Sequence, residues 1–239
     1  AACRDFMARS GGFYNAGPFT PFMYKAPDAP PKSTIQFPRG TDGVNWGGIA
    51  IDPTSGFAFA TSHDGALVGW VQDKDPNVTY SFEAVGSKQP YDRASIGGVG
   101  PFFTFSAPLS GEYDANGRAV GPSAPCQRPP WGKLVAVNAN TGEIAWESVL
   151  GLNPNLPEGK QLVGSAGSAG PSVTAGGLVF VGNTSDRRFR AFDSRTGAEL
   201  WSATLENNAG ANPMSYAGRS GKQRVAIVAG DTVNVFALP

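Results

Sequence analysis

The sequence predicts an all-β fold, part of a β-propeller, and three observations carry that expectation. First, a phrase recurs. Residues 135–146 read Val-Ala-Val-Asn-Ala-Asn-Thr-Gly-Glu-Ile-Ala-Trp, and residues 190–201 read Arg-Ala-Phe-Asp-Ser-Arg-Thr-Gly-Ala-Glu-Leu-Trp. Second, the closing tryptophans, Trp146 and Trp201, stand 55 positions apart, and a hairpin-built period near 50 residues marks propeller blades. Third, short apolar runs alternate with Gly, Pro and Asp turn signals, and no helical period is sustained beyond the first few residues.

Taken in chain order, the pattern predicts a short helix over 2–9, then loop, with one strand near Ser33–Phe37. Gly47–Ile51, Phe57–Thr61 and Ala66–Val71 read as a three-stranded meander, turned at Asp52–Gly56 and at Asp64-Gly65. Residues 72–130 break the rhythm with scattered Gly, Pro and Ser, and a stretch that long is normally a functional or covering insertion. Strands resume at Lys133–Asn138 and Glu143–Val149. A four-strand set follows at Ser168–Thr174, Leu178–Gly182, Phe189–Asp193 and Glu199–Leu205. Asn212–Tyr216, Arg224–Ala229 and Thr232–Leu238 make three more. The expected organisation is a loop-rich segment, 1–43, packing on propeller blades at 44–239, with the insertion at about 72–130.

Within the repeat, Thr-Gly supplies a two-residue turn in which Gly takes positive φ. Asn138 and Asp193 precede the turns and are expected to hydrogen-bond the backbone there. Trp146 and Trp201 are large, flat residues suited to packing between adjacent sheets. The strands amount to about three blades. Propellers close at typically four to eight blades, and an open arc exposes sheet edges. The missing blades are therefore expected from another chain, or from another piece of the same precursor.

Composition narrows the function. Lys+Arg and Asp+Glu are equal at 19 each, which argues against a nucleic-acid partner or an anionic membrane surface. No apolar run approaches the 18 residues of a bilayer-crossing helix. Gly (32) and Pro (20) make up about a fifth of the chain, which fits many tight turns rather than disorder. The opening, Ala-Ala-Cys-Arg-Asp-Phe-Met, has no apolar stretch behind a basic head and reads as the interior of a longer product. Cys3 and Cys126 either form a disulfide or stay free. With His63 the only histidine and no Cys-x-x-Cys, no metal site or covalent c-type haem is expected.

Three further segments point to a family. Gly43-Val-Asn-Trp-Gly-Gly-Ile-Ala-Ile-Asp-Pro53, Cys126-Gln-Arg-Pro-Pro-Trp-Gly-Lys-Leu134 and Thr174-Ala-Gly-Gly-Leu-Val-Phe-Val-Gly182, followed by the Trp201 repeat, resemble the C-terminal part of quinoprotein dehydrogenases. These are alcohol and sugar oxidases dependent on pyrroloquinoline quinone (PQQ). The branch that includes membrane-type glucose dehydrogenase is the most similar, and the resemblance covers about residues 30–239. Asn212-Pro-Met-Ser-Tyr216 and the ending Val-Phe-Ala-Leu-Pro also fit.

The resemblance implies an eight-bladed propeller with PQQ on its axis under Ca²⁺ or a lanthanide. It also implies that an alcohol or sugar hydroxyl is oxidised, its proton going to an aspartate base while hydride passes from the carbon that bears it to the quinone, and a periplasmic or secreted location. The protein's part in such chemistry is to orient and tune the cofactor. The catalytic aspartate and the metal ligands belong to the family's earlier blades, so an N-terminal propeller chain is the implied partner. Without it this chain is expected to be inactive, with no catalytic or metal-ligating residue of its own. The implied small-molecule partners are an alcohol or sugar substrate and a cytochrome or quinone electron acceptor.

Four residues carry over as cofactor contacts. Asn45 matches an asparagine reaching the quinone from its blade's innermost strand; an amide both donates and accepts. The alternative is a turn asparagine. Trp46 either sits beside the cofactor or fills the blade. Ser168 and Ala169 align where alcohol-oxidising members place a tryptophan, so contact there is through backbone only. The Gly-rich stretch 164–170 lacks the following Lys-Ser/Thr of a phosphate loop. His63-Asp64 is read as a surface turn rather than an acid–base pair, because strand neighbours face opposite ways. Arg187, Arg188 and Arg190 are read as a solvated strand end. Asp231 starts the last strand in a tight turn where glucose dehydrogenase-like members carry a longer loop with a histidine, which leaves glucose in doubt. The competing reading of the whole chain is a non-catalytic propeller scaffold that binds protein partners. A propeller hydrolase finds no carboxylate pair or nucleophile–base spacing to support it.

Overall fold

A computed structural model describes residues 1–39, 42–73, 91–95, 98–99, 104–115 and 119–237. Its elements, in order, are α1 (Ala2–Arg9), β1 (Phe13–Tyr14), β2 (Ser33–Gln36), β3 (Ile49–Asp52), β4 (Phe57–His63), β5 (Leu67–Asp73), β6 (Tyr91–Ser95), β7 (Gly98–Val99), β8 (Ser106–Pro108) and β9 (Ser123–Pro125). They continue with β10 (Gly132–Asn138), β11 (Ile144–Val149), β12 (Ser172–Val173), β13 (Leu178–Val181), β14 (Arg188–Asp193), β15 (Glu199–Thr204), β16 (Met214–Ala217), β17 (Gln223–Ala229) and β18 (Thr232–Ala237). The chain divides into two compact units. One holds residues 1–40 and 65–128, the other residues 41–64 and 129–239.

The second unit is built from three antiparallel sheets among the described residues, ordered β11-β10-β4-β3, β12-β13-β14-β15 and β16-β17-β18. The repeat explains their likeness. Ala136 pairs with Trp146 and Ala191 with Trp201. One residue later both ladders slip through a β-bulge, to Val137–Ile144 and Phe192–Glu199. Every one of these positions advances by 55 from the first sheet to the second. The connections are longer than a two-residue turn, running over 139–143 and 194–198. The reason is local: Asn138 Oδ1 accepts the Asn140 N–H, and Asp193 Oδ1 accepts the N–H groups of Arg195 and Thr196. Each spends three residues in an Asx turn before Thr-Gly closes it.

Two apolar cores lie between these sheets. Phe59, Leu134, Ala136 and Leu150 from the first meet Val179, Val181 and Phe192 from the second. Phe189, with Leu205 and Ala209 from the connection after β15, meets Val225, Ile227 and Ala229 of the third. In the middle sheet β14 is thus covered on both faces, which is why it reads Phe-Arg-Ala-Phe with no exposed residue among the four.

The expected meander is corrected here. β4 pairs with β3 and, across a long excursion, with β10, from His63↔Gly132 to Phe57↔Asn138. The strand at Leu67–Asp73 joins a different sheet, β1-β2-β5-β6-β7, in the other unit. The turn at Asp64-Gly65 is therefore a departure point and not a hairpin, and the excursion begins at Gly65 rather than near residue 72. Parts of the expected 72–130 insertion, and Leu238 at the end of the last expected strand, lie outside the described residues.

In the first unit, α1 carries Asp5 in its first turn and Arg9 in its last, both matched to the helix dipole. Phe6 is buried against Phe105, which also meets Phe13 edge-on. Cys3 of α1 is bonded to Cys126, just past β9, so the alternative left open by the sequence resolves as a disulfide.

Candidate functional site

The four expected site residues come together in the second unit. They lie on the segments that lead into β3 and β12, not in strands. β3 begins only at Ile49 and β12 only at Ser172, so the expected strand from Ser168 starts four residues late, and Asn45 precedes its strand. The cause is visible in the backbone bonding. The Gly47 N–H donates to the Ser168 carbonyl at 3.2 Å. The Ala169 N–H donates to Asn183 Oδ1 at 2.6 Å, and its carbonyl accepts from Thr61 Oγ1 at 2.8 Å. The Gly170 N–H donates to Asn212 Oδ1 at 2.7 Å, whose Nδ2 donates to the Gly47 carbonyl at 2.8 Å. Side chains, not a ladder, satisfy these peptide groups.

Asn212 stands just before β16, so the entrances to the first strands of all three sheets meet at one rim. The rim needs small residues. A Cβ on Gly47 would lie 2.0 Å from Gly170 N, one on Gly170 2.2 Å from Gly47 O, and one on Gly167 1.8 Å from Asn183 O.

On this rim Asn45 is half-buried. Its Oδ1 accepts the Trp46 N–H at 2.7 Å, while its carbonyl accepts the Gly48 N–H at 3.0 Å. The turn role weighed for Asn45 is thus present, and it also orients the carboxamide with Nδ2 as the donor end. Trp46 is 68% exposed and does not fill the blade core. Ser168 is half-buried and Ala169 fully buried, and the Ser168 carbonyl and both polar groups of Ala169 are already bonded within the protein. The site is electrically neutral: no charged side chain takes part in the bonds above.

Two readings of polar residues are corrected. His63 is not on a surface turn. It ends β4, is 1% exposed, and faces Asn183 Nδ2 through Nε2 at 3.2 Å. Asp64 turns the other way, to Lys133 at 3.2 Å, so the pair is not an acid–base couple. Burial would lower the Lys133 ammonium, but the carboxylates of Asp64 and Glu147 outweigh it and hold it above its ordinary value.

Arg190 is likewise no solvated strand end. It is buried, with Nη2 on Asp186, Nη1 on Thr184 at 3.0 Å and Nε on Glu199 at 3.2 Å. Burial pushes the Asp186 carboxyl up. The hydrogen bonds and charge of Arg190, with the Thr184 hydroxyl and the Leu152 N–H, more than reverse that and hold it below the usual carboxylate range.

Thr61 and Asn183 have no local signal in the sequence, and Asn212 is marked there only as part of the Asn-Pro-Met-Ser-Tyr segment, with no role attached. Each is a polar residue at or near a strand end whose partner lies far along the chain. Among the described residues no group of three His, Cys, Asp or Glu side chains is placed to hold a metal ion.

A family model described as the PQQ glucose/ethanol/alcohol dehydrogenase β-propeller domain matches residues 1–225. The chain is 34% identical over 216 residues to a quinate/shikimate dehydrogenase (quinone) of Acinetobacter baylyi, a match covering 87% of this chain and 25% of that protein. It is 32% identical to quinoprotein glucose dehydrogenase A of Acinetobacter calcoaceticus, covering 82% and 24%. It is 31% identical to the large subunit of a glycerol dehydrogenase of Gluconobacter thailandicus, covering 89% and 31%. The chain spans about a quarter to a third of the length of these curated relatives.

Proposed function

We propose, on the premise that the chain belongs to the family of PQQ-dependent glucose/ethanol/alcohol dehydrogenase β-propeller domains, that it forms the C-terminal blades of a dehydrogenase oxidising an alcohol or sugar hydroxyl. One observation carries the reading. Asn45-Trp46-Gly47 and Ser168-Ala169-Gly170, far apart in sequence, share one rim through the Gly47–Ser168 bond.

The rim suits a planar, carbonyl-rich ring. Backbone approaches closely where glycines stand. An oriented carboxamide at Asn45 suits a quinone or carboxylate oxygen, and the exposed Trp46 indole offers a face for stacking. When bound, PQQ supplies the hydride acceptor. Asn45 Nδ2 would hold a ring oxygen, Trp46 would exclude water from one side, and the Ser168 and Ala169 peptides would bound the other. The catalytic aspartate and the ligands for Ca²⁺ or a lanthanide are assigned to an N-terminal partner chain, without which this chain is inactive. A cytochrome or quinone would take the electrons onward.

Outer sheet faces support that partner. Ile49, Ile51 and Ile144 of the first sheet are 55–59% exposed, and Met214, Val228, Val233 and Val235 of the third are 42–62% exposed. In the middle sheet β14 is covered on both faces, while the edge strand β15 leaves Leu200 58% and Trp201 39% exposed. Further sheets of the same kind on either side would bury the patches of the first and third. The Cys3–Cys126 disulfide fits an oxidising, periplasmic or secreted location.

The test is the absorption spectrum of the complete dehydrogenase with and without an alcohol or aldose. A bound quinone gives a near-ultraviolet band that bleaches or shifts on substrate addition, and Asn45→Ala weakens quinone retention while leaving the assembly intact. A featureless spectrum, with no quinone released on denaturation, selects the protein-binding scaffold instead.

A further inference from the structure

We infer that His63 and Asn183 are a buried pair of positioning residues that fix the Ser168-Ala169-Gly170 peptide against the cofactor. The hold on the peptide is read from geometry; its consequence for the cofactor rests on the function proposed above.

Both Asn183 and His63 are 1% exposed. Asn183 occupies the left-handed region, with φ +52°, a conformation that asparagine tolerates better than most residues. Its carboxamide oxygen accepts the Ala169 N–H at 2.6 Å and its nitrogen meets His63 Nε2 at 3.2 Å. Since the oxygen is committed to an N–H donor, the nitrogen must donate, and His63 must offer Nε2 as an acceptor.

A carboxamide bridges these two partners because it accepts at one end and donates at the other. A carboxylate has no donor for His63, and an apolar side chain serves neither. Gly167 packs against the same residue: a Cβ there would lie 2.1 Å from Asn183 Oδ1. The bare Gly167 backbone is what lets the carboxamide reach the rim.

The rest of the hold comes from the same strand. Thr61 and His63 are two apart on β4 and face the same way. Thr61 takes the Ala169 carbonyl directly, while His63 takes its N–H through Asn183. Both polar groups of one residue are thus referenced to one strand, in a place where Ala169 is fully buried. A segment with no ladder partners needs such a clamp to keep a single height at the rim. Pre-set geometry of this kind affects binding of a rigid ring more than the chemistry that follows.

The experiment uses the complete dehydrogenase, reconstituted with PQQ, in four forms: wild type, Asn183→Gly, His63→Leu and His63→Gln. Asn183→Gly keeps the left-handed backbone and removes only the carboxamide. The readouts are amide hydrogen exchange at Ala169, apparent PQQ affinity, the spectrum of the bound quinone, and kcat at saturating PQQ. In Asn183→Gly we expect Ala169 exchange to rise and PQQ affinity to fall, each about tenfold, the scale of one buried hydrogen bond. The quinone band shifts, and kcat changes less than affinity. His63→Leu moves the same way. His63→Gln, whose Oε1 can accept from Asn183, recovers wild-type values within about twofold.

Unchanged Ala169 exchange in Asn183→Gly overturns the clamp. Faster exchange with unchanged PQQ affinity and spectrum, in an enzyme whose wild type binds PQQ, overturns the positioning role. Absence of quinone from the wild type itself sinks the proposed function, and is told apart because it needs no variant. Should His63→Leu fail to fold, Asn183→Gly and His63→Gln decide the matter alone.

Discussion

The indole N–H of Trp146 donates to the Ser194 carbonyl at 3.1 Å, so the aromatic residue that ends the first repeat is bonded to the turn of the second. The ring also packs on Phe59, with centroids 5.9 Å apart, and Ser148 Oγ donates to Gly197 O. The first repeat thus carries its own bracket for the second. Trp201 occupies the equivalent place but is 39% exposed, bordering an apolar groove of about 340 Å³ with Phe180 and Phe236.

Truncating the two tryptophans should therefore have unequal effects. Trp146→Ala removes core contacts and leaves the Ser194 carbonyl without its donor, at about 3–5 kcal/mol. Trp146→Phe keeps most of the packing and costs about 1 kcal/mol for the hydrogen bond. Trp201→Ala costs less than Trp146→Ala, because part of its surface is already in water. Denaturant melts of the three variants check the order, and equal losses at 146 and 201 would contradict the bracket.

The repeat glycines separate backbone strain from contact. A methyl group added at Gly142 (φ +77°) would have nothing within 4 Å, whereas at Gly197 (φ +72°) it would lie 2.5 Å from Trp146 Cε3 and 2.5 Å from Ser148 Oγ. Gly142→Ala is expected to cost about 1 kcal/mol, the left-handed penalty alone. Gly197→Ala adds a clash and must push Trp146 off its seat, so its loss is larger and is accompanied by a change in tryptophan fluorescence. A matching loss and an unaltered emission spectrum would show the turn to be looser than drawn.

These repeat features are legible because they are local. The turn site and the closing tryptophan lie within a dozen residues and the period repeats them, whereas the bulge and the true length of the connection show only in the ladder. What escapes the sequence is pairing across distance. Leu67–Asp73 is recognisable as a strand by its Leu-Val-Gly-Trp-Val run, but nothing near it says that it pairs with β2 and β6 while β4 waits for β10. His63 reads as surface because a charged neighbour and a glycine follow it. Its burial comes with Asn183, 120 residues on. Resemblance leads to Asn45, Trp46, Ser168 and Ala169. It does not lead to Thr61 and Asn183, and it reaches Asn212 only as part of a matching segment with no role attached, since lone polar residues at strand ends look alike until the partners are placed.

Acid should weaken the second unit through Asp186. The side chain is 5% exposed and paired with Arg190, and its pKa lies below the ordinary 3.8. A carboxyl whose folded pKa is depressed contributes stability that is present above its unfolded value and lost as pH falls through the folded one. Asp186→Asn is expected to cost about 3 kcal/mol near pH 7, since it leaves the buried Arg190 charge with only the part-exposed Glu199 carboxylate opposite it. The gap to wild type narrows below about pH 4. Parallel urea melts at pH 7 and pH 3 measure this, and a gap that stays constant would remove Asp186 from the acid response.

The first unit depends on its cross-link. Cys3 and Cys126 are 123 positions apart, so the bond closes a long loop in the unfolded chain, worth about 4–5 kcal/mol by loop-closure entropy. Cys3→Ser and Cys126→Ser are each expected to loosen α1, exposing Phe6 and Phe105, with faster hydrogen exchange over residues 2–10. The double variant should be no worse than either single one. Additive losses would mean that the cysteines contribute through packing rather than through their bond.

The rim offers the sharpest steric test. Gly47 and Gly170 face each other backbone to backbone, with Gly47 Cβ space 2.0 Å from Gly170 N and 2.3 Å from Ala169 C. These neighbours are main-chain atoms held by Asn212 on one side and Asn183 on the other, so they cannot swing away as a side-chain tip would. Gly47→Ala must break the Gly47–Ser168 bond and lift the Asn45-Trp46 turn from the Ala169 peptide. A loss of about 2–4 kcal/mol is expected, the range of an overpacked site with a broken hydrogen bond. Gly48→Ala, one residue on with nothing within 4 Å of its Cβ position, has only its φ of +69° to oppose it and should cost about 1 kcal/mol. If the rim is where the quinone sits, Gly47→Ala loses PQQ from the complete enzyme while Gly48→Ala keeps it. Retention in both, measured as quinone released on denaturation, would move the cofactor away from this rim.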